Sequence, residues 1–100
     1  MASPQKENGH VQIANELISA LAKVGLCGYE WSVMITVLRM TYGFNKKEDR
    51  ISLTQFEKYT NRDRTSVCRG IKKLVAKKIL VVAKSPLGNK YWINKDYETW

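Results

Sequence analysis

Hydrophobic residues in the first half of the chain recur at the three- and four-residue spacing of α-helices. The stripe that begins at Ile13 and ends at Val24 predicts a first helix over Val11–Lys23. A broader apolar stripe predicts a second helix over Tyr29–Thr41. Because a helix that is apolar on several sides must be covered on those sides, we expect the second helix at the centre of the core.

The second half of the chain predicts a short helix, a tight turn and a longer helix. Ser52 and Gln55 have the spacing of a capping box, which predicts a short helix over Leu53–Tyr59. The turn Thr60–Asp63 ends in an aspartate, a residue type favoured as an N-cap. The helix that follows is predicted over Arg64–Lys78, so this segment is expected to form a helix-turn-helix.

The last part of the chain predicts a β-hairpin. Two β-rich runs, Ile79–Ala83 and Lys90–Ile93, flank the turn cluster Ser85–Asn89, and a short extended piece is expected earlier, at Arg50–Ser52. A hairpin directly after a helix-turn-helix is the wing of a winged-helix domain. The predicted fold class is therefore mainly α with a small β-hairpin (α+β), a winged helix-turn-helix.

Length and composition indicate one globular domain. The chain has 100 residues, of which 44% are hydrophobic. We expect a flexible tail over residues 1–9 and the domain over residues 10–97. The tail is polar, and no apolar run approaches the roughly 20 residues that span a bilayer. The sequence therefore predicts a cytoplasmic protein without a membrane partner.

The distribution of charge indicates a polyanionic partner. The chain has 17 Lys and Arg against nine Asp and Glu, a net charge of +8. Residues 62–78 contain seven of these basic residues and one acid, which accounts for +6 of the total. A solvated helix face usually mixes both signs of charge. The excess in this segment therefore favours DNA as the partner.

Helical geometry separates the basic side chains of this segment from the apolar ones. At 100° per residue, Val67, Ile71 and Leu74 share one face, and Arg69 and Lys72 lie on the opposite face. We expect the basic face to enter the major groove of double-stranded DNA. The residues predicted to read bases are Arg64, Thr65, Ser66 and Arg69. Those predicted to contact phosphates are Arg62, Lys72 and Lys73.

Weaker DNA contacts are predicted outside this helix. Lys84, Asn89 and Lys90 of the hairpin are expected to reach the DNA backbone or the adjacent minor groove. The alternative is that these lysines protect the edge of the sheet from pairing. Lys46 and Lys47 are also candidates, although a loop with two lysines is commonplace.

Little in the sequence points to catalysis, a metal or a cofactor. The two cysteines, Cys27 and Cys68, are 41 residues apart and are predicted to be buried, reduced thiols. The one histidine, His10, lies in or beside the expected tail, and no catalytic or phosphate-loop motif occurs. We therefore expect no enzyme, no cofactor and no metal site.

The aromatic residues have structural interpretations. Trp100 is left open as a dimer contact or a frayed end. The aromatic residues expected to pack in the core or sheet are Trp31, Phe56, Tyr91 and Trp92.

Three segments carry a resemblance to a known family. Asn8–Leu17, Gly28–Trp31 and above all Thr41–Ser52, with the sequence TYGFNKKEDRIS, resemble the N-terminal domain of replication protein O of lambda-like phages and prophages. The resemblance extends over about residues 5–97. One position departs from the usual pattern, because Arg62 stands where a helix-turn-helix commonly buries an aliphatic residue.

The resemblance implies a role in the initiation of phage DNA replication. It implies binding to repeated sites in a replication origin, as a homodimer, on DNA in the nucleoid of the bacterial host. It also implies that helicase-loading proteins bind a C-terminal region that these 100 residues do not include. Two other functions remain open: a winged-helix transcriptional regulator, which the same groove-reading surface would suit, and a winged-helix protein-interaction module.

Overall fold

The computed structural model describes residues 2–4 and 9–100, which form four helices and a small antiparallel sheet. The helices are α1 (Asn15–Lys23), α2 (Gly28–Thr41), α3 (Leu53–Thr60) and α4 (Arg64–Ala76), and the strands are β1 (Asp49–Arg50), β2 (Leu80–Ala83) and β3 (Lys90–Ile93). Short 3₁₀ helices occupy Tyr42–Phe44 and Tyr97–Thr99. The predicted tail lies partly outside the described residues, which omit residue 1 and residues 5–8.

Helix α2 is the central element, as its apolar width predicts. It contacts α3, α4 and β3, and its residues Val33, Met34 and Val37 are completely buried. The sheet joins this core through Phe56 and Tyr91, whose rings meet edge to face with centroids 5.1 Å apart. Both rings are buried, and Trp31 and Trp92 are half-buried, so the expectation that these four aromatic side chains pack in the core or sheet is confirmed.

The first helix begins four residues later than predicted. Ala14, in an extended conformation, is the N-cap of α1, and Leu17 and Leu21 are its buried residues. Val11 and Ile13 precede the helix. Both are β-branched, which lowers helix propensity, and hydrophobic spacing alone does not mark where a helix starts.

The helix-turn-helix forms as the sequence predicts. The Ser52 backbone N–H donates to Gln55 Oε1 (2.9 Å) and the Gln55 backbone N–H donates to Ser52 Oγ (3.1 Å), so the capping box is present. Asn61 ends α3 in the left-handed conformation (φ 54°), which Asn tolerates better than most residues. The turn then leads to Asp63, the N-cap residue of α4.

Helix α4 ends at Ala76, two residues before the predicted end. The backbone N–H of Ile79 donates to the Leu74 carbonyl and that of Lys78 donates to the Val75 carbonyl, each at 3.0 Å, which is a Schellman motif. Lys78 takes the left-handed conformation that the motif needs (φ 65°). Since Ile79 and Leu74 are both completely buried, burial of Ile79 fixes this end of the helix.

The predicted hairpin is part of a three-stranded sheet with the order β1-β3-β2. In the β2–β3 hairpin, hereafter the wing, Val81 pairs with Trp92. Strand β1 pairs with the other edge of β3, with Asp49 opposite Tyr91 and Arg50 opposite Lys90. It begins one residue before the predicted extended piece Arg50–Ser52 and ends two residues earlier, and Ser52 is extended but serves as the N-cap of α3.

Both cysteines are free thiols, but the prediction that they are buried is wrong for Cys27 and only partly met by Cys68. Cys68 is half-buried, whereas Cys27 is exposed. Cys27 is the N-cap residue of α2, a position at the edge of the core, and its backbone N–H donates to Glu30 Oε1 (3.2 Å).

Trp100 is half-buried against the core and its indole N–H donates to the Asn94 carbonyl, so it is not frayed.

The predicted fold class is confirmed: the chain is mainly helical with a small antiparallel sheet in the order of a winged helix-turn-helix. Among the described residues, no helix combines the length and the apolar character needed to cross a bilayer.

Candidate nucleic-acid interface

Helix α4 has a buried face and an exposed, cationic face. Val67 and Leu74 are completely buried and Gly70 is buried between them. Ile71, predicted to belong to this stripe, is half-buried and packs against the core. The exposed residues of the helix are Arg64, Thr65, Arg69, Lys72, Lys73, Val75 and Ala76. The helix is therefore held by one side and presents the other to solvent.

Gly70 sets the distance between α4 and α2. A Cβ atom at this position would lie 3.0 Å from the backbone oxygen of Tyr29 and 3.1 Å from Val33 Cγ2. Both distances are shorter than ordinary carbon contacts, so the two helices approach this closely because residue 70 has no side chain. Sequence reasoning missed this residue; its one signal was a glycine in the middle of a predicted helix.

Arg62 extends across the first turns of α2. Its Nε donates to Ser32 Oγ (2.9 Å), and its Nη2 lies 3.2 Å from where a Cβ of Gly28 would be. The side chain is exposed, so the turn places a cation on the surface where an aliphatic residue is commonly buried. The turn between α3 and α4 spans residues 61–63, with Asn61 in the left-handed conformation.

The Arg64 side chain makes two hydrogen bonds to residues of α3. Its Nε donates to Glu57 Oε1 (2.8 Å) and its Nη2 to Thr54 Oγ1 (3.3 Å). The guanidinium is thus held against α3, although the side chain stays at the surface and is 57% exposed.

Asp63 and Ser66 form a pair at the start of α4. The Ser66 hydroxyl donates to Asp63 Oδ1 (2.6 Å), and this hydrogen bond lowers the pKa of the Asp63 carboxyl below its ordinary value. Asp63 is the N-cap residue, as predicted, and its carboxylate accepts the hydrogen bond of the Ser66 hydroxyl. In this state the hydroxyl proton of Ser66 is directed at the protein.

Lys73 lies over an aromatic ring of α2. Its Nζ is 5.0 Å from the centroid of the Tyr29 ring, which is within the range of a cation–π contact. The Tyr29 side chain raises the pKa of Lys73 above its ordinary value, so the ammonium stays charged at physiological pH. Arg62 and Lys73 therefore flank the first turn of α2 with two cations.

The wing residues differ in their exposure. Lys84 is exposed, whereas Asn89 and Lys90 are half-buried. The ammonium of Lys90 is 3.2 Å from Glu48 Oε1 and so pairs with the loop before β1. The tip turns at Gly88, whose φ of +120° is difficult for any other residue.

Lys46 and Lys47 lie apart from the helix-turn-helix. With Tyr42 and Lys95 they line an open cleft of about 440 Å³ beside α1. Lys46 Nζ is 3.5 Å from Asp49 Oδ1. The structure therefore does not bring these two lysines together with the cationic face of α4.

Comparison with known sequences identifies the family to which the chain belongs. The sequence profile of bacteriophage replication protein O matches residues 3–100. The chain belongs to this family. The expected resemblance to replication protein O is thus confirmed over almost the whole chain.

Curated replication proteins of three phages are similar to the chain, two of them over most of its length. Replication protein 15 of Enterobacteria phage phi80 is 32% identical over 93% of the chain, and DNA replication protein gp18 of Salmonella phage P22 is 29% identical over 94%. Replication protein O of Escherichia phage lambda is 33% identical over 54% of the chain. The chain spans about a third of the phi80 and P22 proteins, 31% and 33% of their lengths.

A solved structure shares the fold of this family member. It is the structure of BpsR of Bordetella bronchiseptica, a protein whose DNA binding is regulated by 6-hydroxynicotinic acid. The TM-score is 0.54 at 17% sequence identity, over 83% of the chain and 62% of the BpsR chain. At this identity the similarity concerns the fold.

Proposed function

We propose that this domain binds double-stranded DNA sequence-specifically, by inserting α4 into the major groove, and that it does so without catalysis. The observation that carries the proposal is the exposed face of α4, where Arg69 and Lys72 lie on the side opposite to buried Val67 and Leu74, and Lys73 is exposed beside Tyr29 of α2. A major groove is wide enough to admit a helix with this arrangement.

Each exposed side chain has a role in this proposal. Arg69 makes a bidentate contact with guanine, and Thr65 meets a neighbouring base edge or phosphate. Lys72 and Lys73 bind phosphates and position the protein without reading sequence. Arg62, held across α2, contacts a phosphate beside the groove. Ser66 joins the contacts when its hydroxyl is released from Asp63.

The wing adds contacts beyond the recognition helix. Lys84 and Lys90, with Asn89, reach the backbone or the adjacent minor groove, and Lys90 exchanges Glu48 for phosphate. Lys46 and Lys47 contribute only if the DNA extends past the wing, because they lie beside the α1 cleft.

Family membership supports a replication context. We propose that the sites are repeats in a phage or prophage replication origin, bound by a homodimer on DNA in the bacterial cytoplasm and nucleoid. We further propose that helicase-loading proteins bind a C-terminal region and not these 100 residues. A transcriptional regulator would use the same α4 surface, so the genomic location of the sites decides between origin and promoter.

Selection of bound duplexes from a random pool at physiological salt tests the proposal. We expect an enriched motif, with two-fold symmetry if a dimer binds. The matched control is the same selection with Arg69→Ala, which should lose preference at one or two positions. A pool that shows no enrichment for the wild-type domain would refute sequence-specific binding.

A further inference from the structure

We infer that Glu57 of α3 is a specificity-determining residue, which acts by holding Arg64 in a fixed position at the edge of the DNA-binding surface. The inference rests on the proposed function and adds a residue to it. Glu57 was not singled out by the sequence, because a carboxylate on a short helix beside a cationic face has no motif of its own.

The geometry joins three side chains across the helix-turn-helix. Arg64 is the first residue of α4, and its guanidinium meets Glu57 at 2.8 Å and Thr54 at 3.3 Å. Thr54 and Glu57 are three residues apart on α3, so they lie on one face of that helix. The side chains of Arg64 and Glu57 are 57% and 35% exposed, which leaves the pair at the surface.

The two contacts restrict the guanidinium without using all of its donors. Arginine has five N–H groups in a planar fork, and Nε and one N–H of Nη2 are engaged here. The hydrogen bonds to α3 therefore fix the direction in which the remaining N–H groups of Arg64 point. An arginine held in this way loses less conformational freedom when it binds a base or phosphate that lies in the direction of its free donors. It is also less able to reach phosphates that lie in other directions.

A double-mutant cycle tests the inference, with affinity measured for the selected duplex and for an unrelated duplex of equal length. Glu57→Gln removes the charge and keeps the shape. We expect tighter binding to the unrelated duplex and a fall in the ratio of specific to nonspecific affinity of about threefold to tenfold. In the Arg64→Ala background the same substitution should leave the ratio unchanged.

Three controls make the result interpretable. Glu16→Gln removes an equal charge on α1 and should leave the ratio unaltered. Thr54→Val removes the second partner of Arg64 and should lower the ratio in the same direction by a smaller factor. Thermal unfolding of each variant checks that the fold is retained. If Glu57 acted only by stabilising the fold, the fall in the affinity ratio would be accompanied by a loss of stability.

The outcomes separate the inference from the proposed function. If the wild-type domain does not prefer its selected duplex, both are overturned. If it does and Glu57→Gln keeps the same ratio, the inference alone is overturned. A fall in the ratio that persists in the Arg64→Ala background also overturns it, because Glu57 would then act directly, as by accepting a hydrogen bond from cytosine.

Discussion

The ammonium of Lys77 lies 2.7 Å from the buried Oε2 of Glu30, and this ion pair joins the end of α4 to the start of α2. The Lys77 ammonium also donates to the Gly25 carbonyl (3.1 Å). The Glu30 side chain is only 3% exposed. Together with the close approach at Gly70, the pair fixes the orientation of the proposed recognition helix relative to the core.

Replacing Lys77 with Met should destabilise the fold, because it leaves the Glu30 carboxylate buried without a cation. Breaking a fully buried pair costs about 3–5 kcal/mol, and since the Lys77 side chain is 39% exposed we expect about 1–2 kcal/mol. Urea unfolding measures the loss. Lys84→Met, at an exposed wing position, is the control, and equal losses in both variants would contradict a special role for the ion pair.

The same carboxylate should make stability depend on pH. Burial raises the pKa of Glu30, but the Lys77 ammonium and the backbone N–H of Cys27 outweigh it, and the pKa lies below its ordinary value of 4.5. The unfolded chain therefore takes up this proton first as the pH falls, and stability present above about pH 4.5 is lost below it. Glu30→Gln should flatten this part of the curve in urea titrations between pH 7 and pH 3; an unchanged slope would exclude the assignment.

Gly70→Ala should separate α4 from α2. The added methyl group meets the Tyr29 backbone oxygen, which cannot rotate away, and the expected cost of overpacking, about 1–3 kcal/mol, is at least as large as the gain in helix propensity of about 1 kcal/mol. Gly25→Ala is the matched control, because nothing lies within 4 Å of its Cβ position. Thermal unfolding that ranks Gly70→Ala as no less stable than the control would disprove the close contact.

Arg69→Ala should reduce sequence discrimination. If Arg69 makes the proposed bidentate contact, the affinity for the selected duplex falls by about 1–3 kcal/mol, and binding to unrelated duplexes changes little. Fluorescence anisotropy with both duplexes measures this. Arg39→Ala, on α2, removes the same charge away from α4 and serves as control. Equal weakening on every duplex would instead assign Arg69 to phosphate.

Lys72→Ala should weaken binding to all duplexes alike. A lysine bound to one phosphate releases about one counterion, so the slope of log affinity against log salt should fall by about one unit. Titrations at several salt concentrations give the slope, and Lys23→Ala on α1 controls for the change in net charge. A variant with an unchanged slope would mean that Lys72 points away from the DNA.

Local signals in the sequence were sufficient for most of the fold. The Ser52–Gln55 capping box, the left-handed Asn61 and the apolar stripe of α4 depend on residues within one or two turns of each other. Element boundaries were less accurate, because the end of α4 depends on where Ile79 is buried.

The sequence by itself determined that α4 has one apolar and one cationic face, since both follow from helical periodicity. Only the tertiary structure decided which cations in and beside α4 already have protein partners: Arg62 with Ser32, Arg64 with Glu57, and Lys77 with Glu30. These pairs join residues that are 7 to 47 positions apart, and the packing of different helices, rather than any local spacing, brings them within hydrogen-bond distance.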